Sequence, residues 1–254
     1  MSLRRLATAA MVATGVVSAI LLPAPSAQAA TCQYGSCFSY VAGSETTTAT
    51  GAAITMLQAA PTLDSSRPGG HSLQELALQN SDQTSTVEVG WTVDSQLNGD
   101  AKPHLFVYHW VDGQQSCYNG CGFVQVSGAV RPGMDVASGV AATYAVLYSG
   151  GNWWVYYDNQ AVGYFPGALW GGTYTSAQLV TAFGEVAAAE PASCTQMGDG
   201  RFGSQSGSSW IADFQLFGSS DAPSFTVSAT DPTEYDARSA TATSFHLGGP
   251  GGPC

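Results

Sequence analysis

From residue 51 onward the chain is cut into short apolar or alternating runs by Gly, Pro, Asn, Asp and Ser, the punctuation of an antiparallel all-β domain. Candidate strands are Ala52 to Ala59, Ser72 to Leu78, Thr86 to Val93, Leu105 to Val111, Phe123 to Val126, Thr143 to Tyr148, Trp153 to Tyr157, Ala161 to Phe165, Trp210 to Leu216 and Ser224 to Ser228. Asp158-Asn159-Gln160 reads as a hairpin turn between two of them. Aromatic and β-branched runs such as Trp153-Trp154-Val155-Tyr156-Tyr157 suit strands buried on one or both faces, so an antiparallel β-sandwich of two packed sheets is expected. Ala177 to Glu190 is ambiguous: its alanines favour a helix by propensity, and Gly184 in the middle weakens that reading. Both ends read as loops, with Thr46 to Thr50 before the first clear strand and a Gly/Pro tail running to Cys254.

Arg4 and Arg5, the apolar stretch Leu6 to Leu22 and the small residues ending Ala27-Gln28-Ala29-Ala30 have the form of a signal peptide, predicting a secreted protein freed from the membrane. The expected organisation is therefore a signal peptide over residues 1–30, a short N-terminal segment over 31–48 and one domain over 49–254. Beyond the leader lie Cys32, Cys37, Cys117, Cys121, Cys194 and Cys254, in a compartment where disulfides persist. Six cysteines allow fifteen pairings; Cys32 with Cys37 and Cys117 with Cys121 would close short local loops, leaving Cys194 for Cys254. No CxxC pair or clustered histidine completes a zinc site, so no metal is expected.

The chain carries 7 basic residues and 18 carboxylates. Without Arg4 and Arg5 the basic set is Arg67, Lys102, Arg131, Arg201 and Arg238, a balance that argues against nucleic acid or an anionic membrane as partner. With its carboxylates protonated such a chain keeps a modest positive charge and could tolerate acid. His71, His104, His109 and His246 are scattered and read as ordinary surface or strand histidines.

Two carboxylates stand out. Along Thr86 to Val93, alternation puts Val87, Val89, Trp91 and Val93 on one face and Glu88, Gly90 and Thr92 on the other. Gly90 clears space beside Glu88 where a ligand or backbone could approach. If Ala182 to Ala189 is a strand, Glu185 shares its face with Phe183 and Ala187, neighbours that strip water from a carboxyl and raise its pKa. Taken singly, Glu88 reads most simply as a solvated strand glutamate and Glu185 as an exposed residue of an alanine-rich helix. Facing one another, the two could share a proton, one as base on water and the other as acid.

Six ordered blocks carry a resemblance to the neprosin family: Thr86 to Val93, Cys117-Tyr118-Asn119 with Cys121 to Gln125, Asn152 to Val155, Val162 to Pro166, Phe183-Gly184-Glu185-Val186 and Thr195 to Gly198, followed by Gly-Gly-Pro-Gly before a terminal Cys. The resemblance covers about Ala49 to Cys254 and implies a β-sandwich glutamic prolyl endopeptidase, with Glu88 and Glu185 as its catalytic pair and the alanine-rich segment as a strand. It also places Tyr118, Gln125, Tyr164 and Gln196 in blocks that could line a substrate cleft, aromatics packing on a proline ring and amides bonding substrate backbone. No cofactor is implied, the partners are proline-containing peptides or proteins, and an acid-active monomer is expected. Three differences from the plant members are expected: no long amino-terminal activation domain, Asp199 where Ser is common after Met-Gly, and no Cys before Glu234-Tyr235-Asp236, which makes Cys194 the substitute partner of Cys254. Two readings compete, a non-catalytic sandwich that binds carbohydrate or protein, and a glycoside hydrolase using the same carboxyl pair.

Overall fold

A computed structural model describes residues 31–66, 69–191 and 193–254; the expected signal peptide lies outside them. The strands, in chain order, are β1 (Thr31–Gln33), β2 (Ser36–Ala49), β3 (Gly51–Leu57), β4 (His71–Gln79), β5 (Thr86–Val93), β6 (His104–Val111), β7 (Gln114–Gln115) and β8 (Val124–Gln125). They continue as β9 (Ala141–Ser149), β10 (Asn152–Tyr157), β11 (Gln160–Pro166), β12 (Ala177–Ala188), β13 (Trp210–Phe217), β14 (Thr226–Ala229), β15 (Asp236–Arg238) and β16 (Phe245–Gly248). One short helix, α1 (Ser95–Asn98), and a 3-10 turn at Gly167–Trp170 complete the regular structure of the described residues.

The strands form two antiparallel sheets of eight. Sheet A runs β1-β2-β12-β4-β5-β6-β7, with β14 also on β2, and sheet B runs β15-β16-β13-β3-β9-β10-β11-β8. Their facing sides bury Val41, Ile54, Leu76, Val89, Trp91, Tyr144, Trp153, Phe165 and Phe214 as one core, the arrangement that hides the apolar face of each sheet. Alternation along β5 holds as the sequence predicts: Val87, Val89, Trp91 and Val93 are fully buried, which turns Glu88 to the outer face of sheet A. The tight turn of the β10–β11 hairpin is Asp158-Asn159, both with left-handed φ (44° and 60°), as a two-residue hairpin loop requires.

The loop expected at Thr46 to Thr50 is for the most part the end of a long strand. β2 is fourteen residues long and pairs β12 from Cys37 to Ala49, and its residues alternate between half-buried and buried as a two-faced strand should. Of the serines and threonines that give it a loop-like composition, Ser36, Ser44, Thr46 and Thr48 are half-buried or exposed, while Ser39 and Thr47 are buried. The alanine-rich segment is strand β12, held on both sides by β2 and β4. Gly184 faces the core there, where a Cβ would stand 2.5 Å from Leu247 Cδ1 and 3.0 Å from Met197 Sδ. Small side chains on this strand let sheet B's elements approach, which decides against the helix its alanines favour.

Disulfides join Cys32 to Cys37, Cys117 to Cys121 and Cys194 to Cys254. The first crosses the β1–β2 hairpin between directly opposed residues. The second closes the loop after β7, and the third ties the C-terminal residue to the segment after β12. The Gly/Pro tail is thereby part of the body: Gly252 N–H donates to Ser193 O, and Gly249 and Met197 exchange backbone hydrogen bonds.

Candidate active site

The outer face of sheet A carries a cleft of about 340 Å³. Its floor is built by neighbouring strands in the order β2, β12, β4, β5, β6, which bring Tyr40, Glu185, Glu75, Glu88 and Tyr108 into the same depression. Glu88 and Glu185 line the same cleft but lie two strands apart rather than directly facing one another. Between them, on β4, stands a third carboxyl that the sequence reading passed over.

Register fixes how the three relate. Glu185 pairs across from Leu73, Glu75 lies between Phe183 and Gly90, and Glu88 pairs with Ala77. Each step from Glu185 to Glu75 to Glu88 is therefore one strand over and two residues along, a diagonal across one sheet face. Diagonal neighbours have Cα atoms about 7–8 Å apart, close enough for long side chains to meet. The space opened by Gly90 is taken by β4: a Cβ there would sit 2.1 Å from Gln74 O and 2.7 Å from Glu75 Cβ. Glycine at 90 is what permits Glu75 on the adjacent strand.

Each carboxyl has a different surrounding. Glu185 accepts a hydrogen bond from His71 Nε2 at 2.8 Å and one from the Tyr40 hydroxyl, with its side chain 12% exposed. His71 is thus not an ordinary strand histidine. Burial pulls its pKa down, but the hydrogen bond and charge of Glu185 outweigh that and the net shift is upward, favouring the imidazolium. Burial first, and the charge of Glu185 second, push Glu88 up to about 8, against a smaller pull from its Trp110 hydrogen bond. Glu75, only 3% exposed, is held well above the ordinary carboxyl range by burial and then by the charges of Glu88 and Glu185. Three acids so placed cannot all ionise. Burial and mutual repulsion favour the neutral acid at Glu75 and Glu88, while His71 is held against Glu185.

The walls are aromatic. Phe38, Tyr40, Phe106, Tyr108, Trp110, Tyr118 and Phe183 line the cleft, and Tyr34 at the tip of the β1–β2 hairpin reaches to 6.1 Å from the Trp110 ring. Tyr118 is held by the Cys117–Cys121 loop: its hydroxyl donates to Asn98 Oδ1 at 3.0 Å and its ring stacks on Phe106. Adjacent Asn119 accepts from Val107 N–H, docking the loop on β6.

The other three candidate binding residues do not line this cleft. Tyr164 and Gln125 belong to sheet B, where Tyr164 stacks on Trp154 at 4.7 Å and Gln125 donates to Ser127 O. Gln196 accepts from Thr62 N–H, joining two loops. The expectation that these three line the cleft is corrected to this extent: they lie outside it, because the blocks that contain them fold onto different elements from β5 and β12.

One group of possible metal ligands occurs among the described residues, Asp100, His104 and Asp135. Lys102 Nζ lies 2.7 Å from Asp135 Oδ2 and 3.6 Å from Asp100 Oδ2, and His104 Nε2 is 2.9 Å from Asp100 Oδ1. The cluster is satisfied by its own cation.

An all-β sandwich with several acids confined in an aromatic cleft is the class this fold and site define. Residues 68–250 match the neprosin family, and the chain belongs to that family. The membership supports a peptidase of the glutamic type. Among solved structures, the chain is similar to scytalido-glutamic peptidase with a transition state analog inhibitor (10% identity, 83% of this chain and 96% of that one, TM-score 0.49). It is also similar to the apo Crh5 transglycosylase (14%, 65% and 65%, 0.35) and to a homodimeric agglutinin from chicken liver (10%, 59% and 95%, 0.33). At these similarities nothing about chemistry transfers from one chain to the other.

Proposed function

We propose that this protein is a secreted endopeptidase that cleaves on the carboxyl side of proline, with Glu185 as general base and Glu88 as general acid. The observation that carries the reading is the unequal pairing of two carboxyls in one cleft: Glu185 beside His71, and Glu88 kept protonated by burial and by Glu185 itself. Two acids whose environments push them apart are how a protein obtains base and acid at one pH.

Glu185 takes a proton from water as the oxygen attacks the carbonyl carbon. Glu88, still protonated, hydrogen-bonds the carbonyl oxygen as negative charge develops there and gives its proton to the departing amine nitrogen. A proline ring on the acyl side finds flat aromatic surface in Phe106, Tyr108, Trp110 and Tyr118. The three disulfides suit an oxidising compartment, and the sequence of residues 1–30 supplies the route of export. The substrates are proline-containing peptides or proteins met there, and the enzyme acts as a monomer.

Mass spectrometry of a proline-rich protein digested at several pH values tests bond, position and optimum together. Fragments ending in proline, formed in acid and lost with Glu88→Gln or Glu185→Gln, are the expected result. Cleavage at other residues would overturn the specificity, and full activity in either folded variant would overturn the mechanism.

A further inference from the structure

Resting on that reading, a turnover leaves a proton in the wrong place. Glu185 begins as carboxylate and ends carrying water's proton, while Glu88 begins protonated and ends bare. Before the next peptide can be cut, one proton must travel from β12 to β5, and β4 lies between.

We propose that Glu75 is the return relay: a neutral carboxyl between the two catalytic acids that carries the proton from Glu185 back to Glu88 after each turnover. The step balances within the three side chains. The O–H bond of Glu185 breaks as a new one forms on one oxygen of Glu75, and the original O–H of Glu75 breaks as its proton bonds Glu88. Nothing is oxidised or reduced, and no outside acid is consumed.

The geometry singles out this residue. Glu75 is a diagonal neighbour of both acids, whereas Glu88 and Glu185 lie two strands apart, roughly 9–10 Å across the sheet alone, and are offset by four residues along β12. A protonated carboxyl has one donor and spare acceptor positions, so it can accept from one neighbour while donating to the other. Its 3% exposure and the pressure of two flanking acids keep it neutral. The other titratable groups lining the cleft are Tyr34 and Tyr40 on the β1–β2 side, Tyr108 from β6, Tyr118 from the disulfide loop, Asp94 after β5 and His71 on its own strand, and His71 is engaged with Glu185 and feels the charge of Asp94. His71 is also the one basic side chain among the described residues lining the cleft. With Glu185 already only 12% exposed, a peptide or product lying over it would cut its exchange with bulk water further, leaving an internal path.

Glu75→Gln keeps the size and hydrogen bonding of the acid but cannot pass a proton on. With enzyme in excess over a proline-containing reporter peptide, the first turnover of this variant should run at the wild-type rate. Its steady-state kcat should fall at least ~10-fold with KM unchanged, and added acetate, a small proton carrier, should restore part of the loss. Glu75→Asp, which retains an exchangeable proton, should lose less and show no response to acetate. A Gln variant that cycles at the wild-type rate, or whose first turnover is slowed as much as the later ones, overturns the relay. If Glu75→Gln does not fold, Glu75→Asp against Glu75→Leu gives the same two readings. Failure of the underlying assignment looks different, because Glu88→Gln or Glu185→Gln would then keep activity whatever stands at 75.

Discussion

The two sheets contribute to the same core, yet their outer faces differ. On sheet B, Trp154 and Tyr164 stack against each other opposite the buried Trp153 and Phe165. On sheet A, aromatic side chains surround three carboxyls and a histidine. In the first case the rings cover one another; in the second they dry the space around groups that would otherwise be hydrated and ionised. Aromatic composition alone does not mark a site. What marks it is aromatic surface beside acids that the sheet holds within reach of each other.

The sharpest way to break that contrast is to remove proton exchange from sheet A. Glu88→Gln and Glu185→Gln should each lower kcat at least ~10²-fold in folded protein, measured on a proline-containing peptide, with Glu190→Gln as the near-neutral control. A smaller effect on turnover, but a large one on folding, is expected from Gly90→Ala. The added Cβ meets the Gln74 carbonyl at 2.1 Å and Glu75 Cβ at 2.7 Å, and forcing backbone apart in a packed sheet costs about 1–3 kcal/mol, read as a lower urea midpoint. His71→Gln removes the cation beside Glu185 while leaving a hydrogen-bonding group. The acid limb of the pH–activity profile should then move to higher pH, and an unmoved limb would show that His71 serves packing alone.

Stability should follow the same chemistry. Glu75 and Glu88 are raised above the ordinary value of 4.5, and His71 above 6.5. The folded state therefore binds protons that the unfolded chain has released, so these groups stabilise the fold fully below their unfolded values and lose that contribution as pH rises through the folded ones. Thermal unfolding should show the midpoint falling from about pH 4.5 toward pH 8, the value to which Glu88 is pushed. Glu75→Gln should flatten this slope. The smallest effect belongs to sheet B: Tyr164→Ala and Gln125→Ala should leave kcat/KM per folded molecule within about twofold, as surface changes away from a site do. A tenfold loss in either would restore them to the substrate path.

Much of this was legible in the residues, for reasons that differ from strand to strand. β5 announces itself because Val87, Val89, Trp91 and Val93 alternate strictly with Glu88, Gly90 and Thr92, so Glu88 falls out of the pattern even though its neighbours on both faces are buried. Glu185 does not, since alanines hide the strand character of β12 and only the resemblance to neprosins identified it. Glu75 had no such help. β4 is covered on both faces along almost its whole length, and a strand buried that way shows no period against which one acid stands out. The available signal was indirect, in Gly90 on the next strand. His71 begins β4 and gains its meaning from Glu185, 114 residues away; no local pattern encodes that contact. β2 is hidden because its second half, Ser44-Glu45-Thr46-Thr47-Thr48, has the polar serine and threonine composition that also makes loops.

The bond between Cys194 and Cys254 has a consequence for how this chain would age among other proteases. It closes a covalent ring around β13, β14, β15 and β16, and Pro223, Pro232, Pro250 and Pro253 all fall inside it. A single nick anywhere in that ring, including one the enzyme made in a neighbouring copy, releases no fragment. Both pieces stay joined through the sulfur bridge, with the sheet B strands still hydrogen-bonded in place. Clipped molecules would run as one species on a gel until reduced, and then as two.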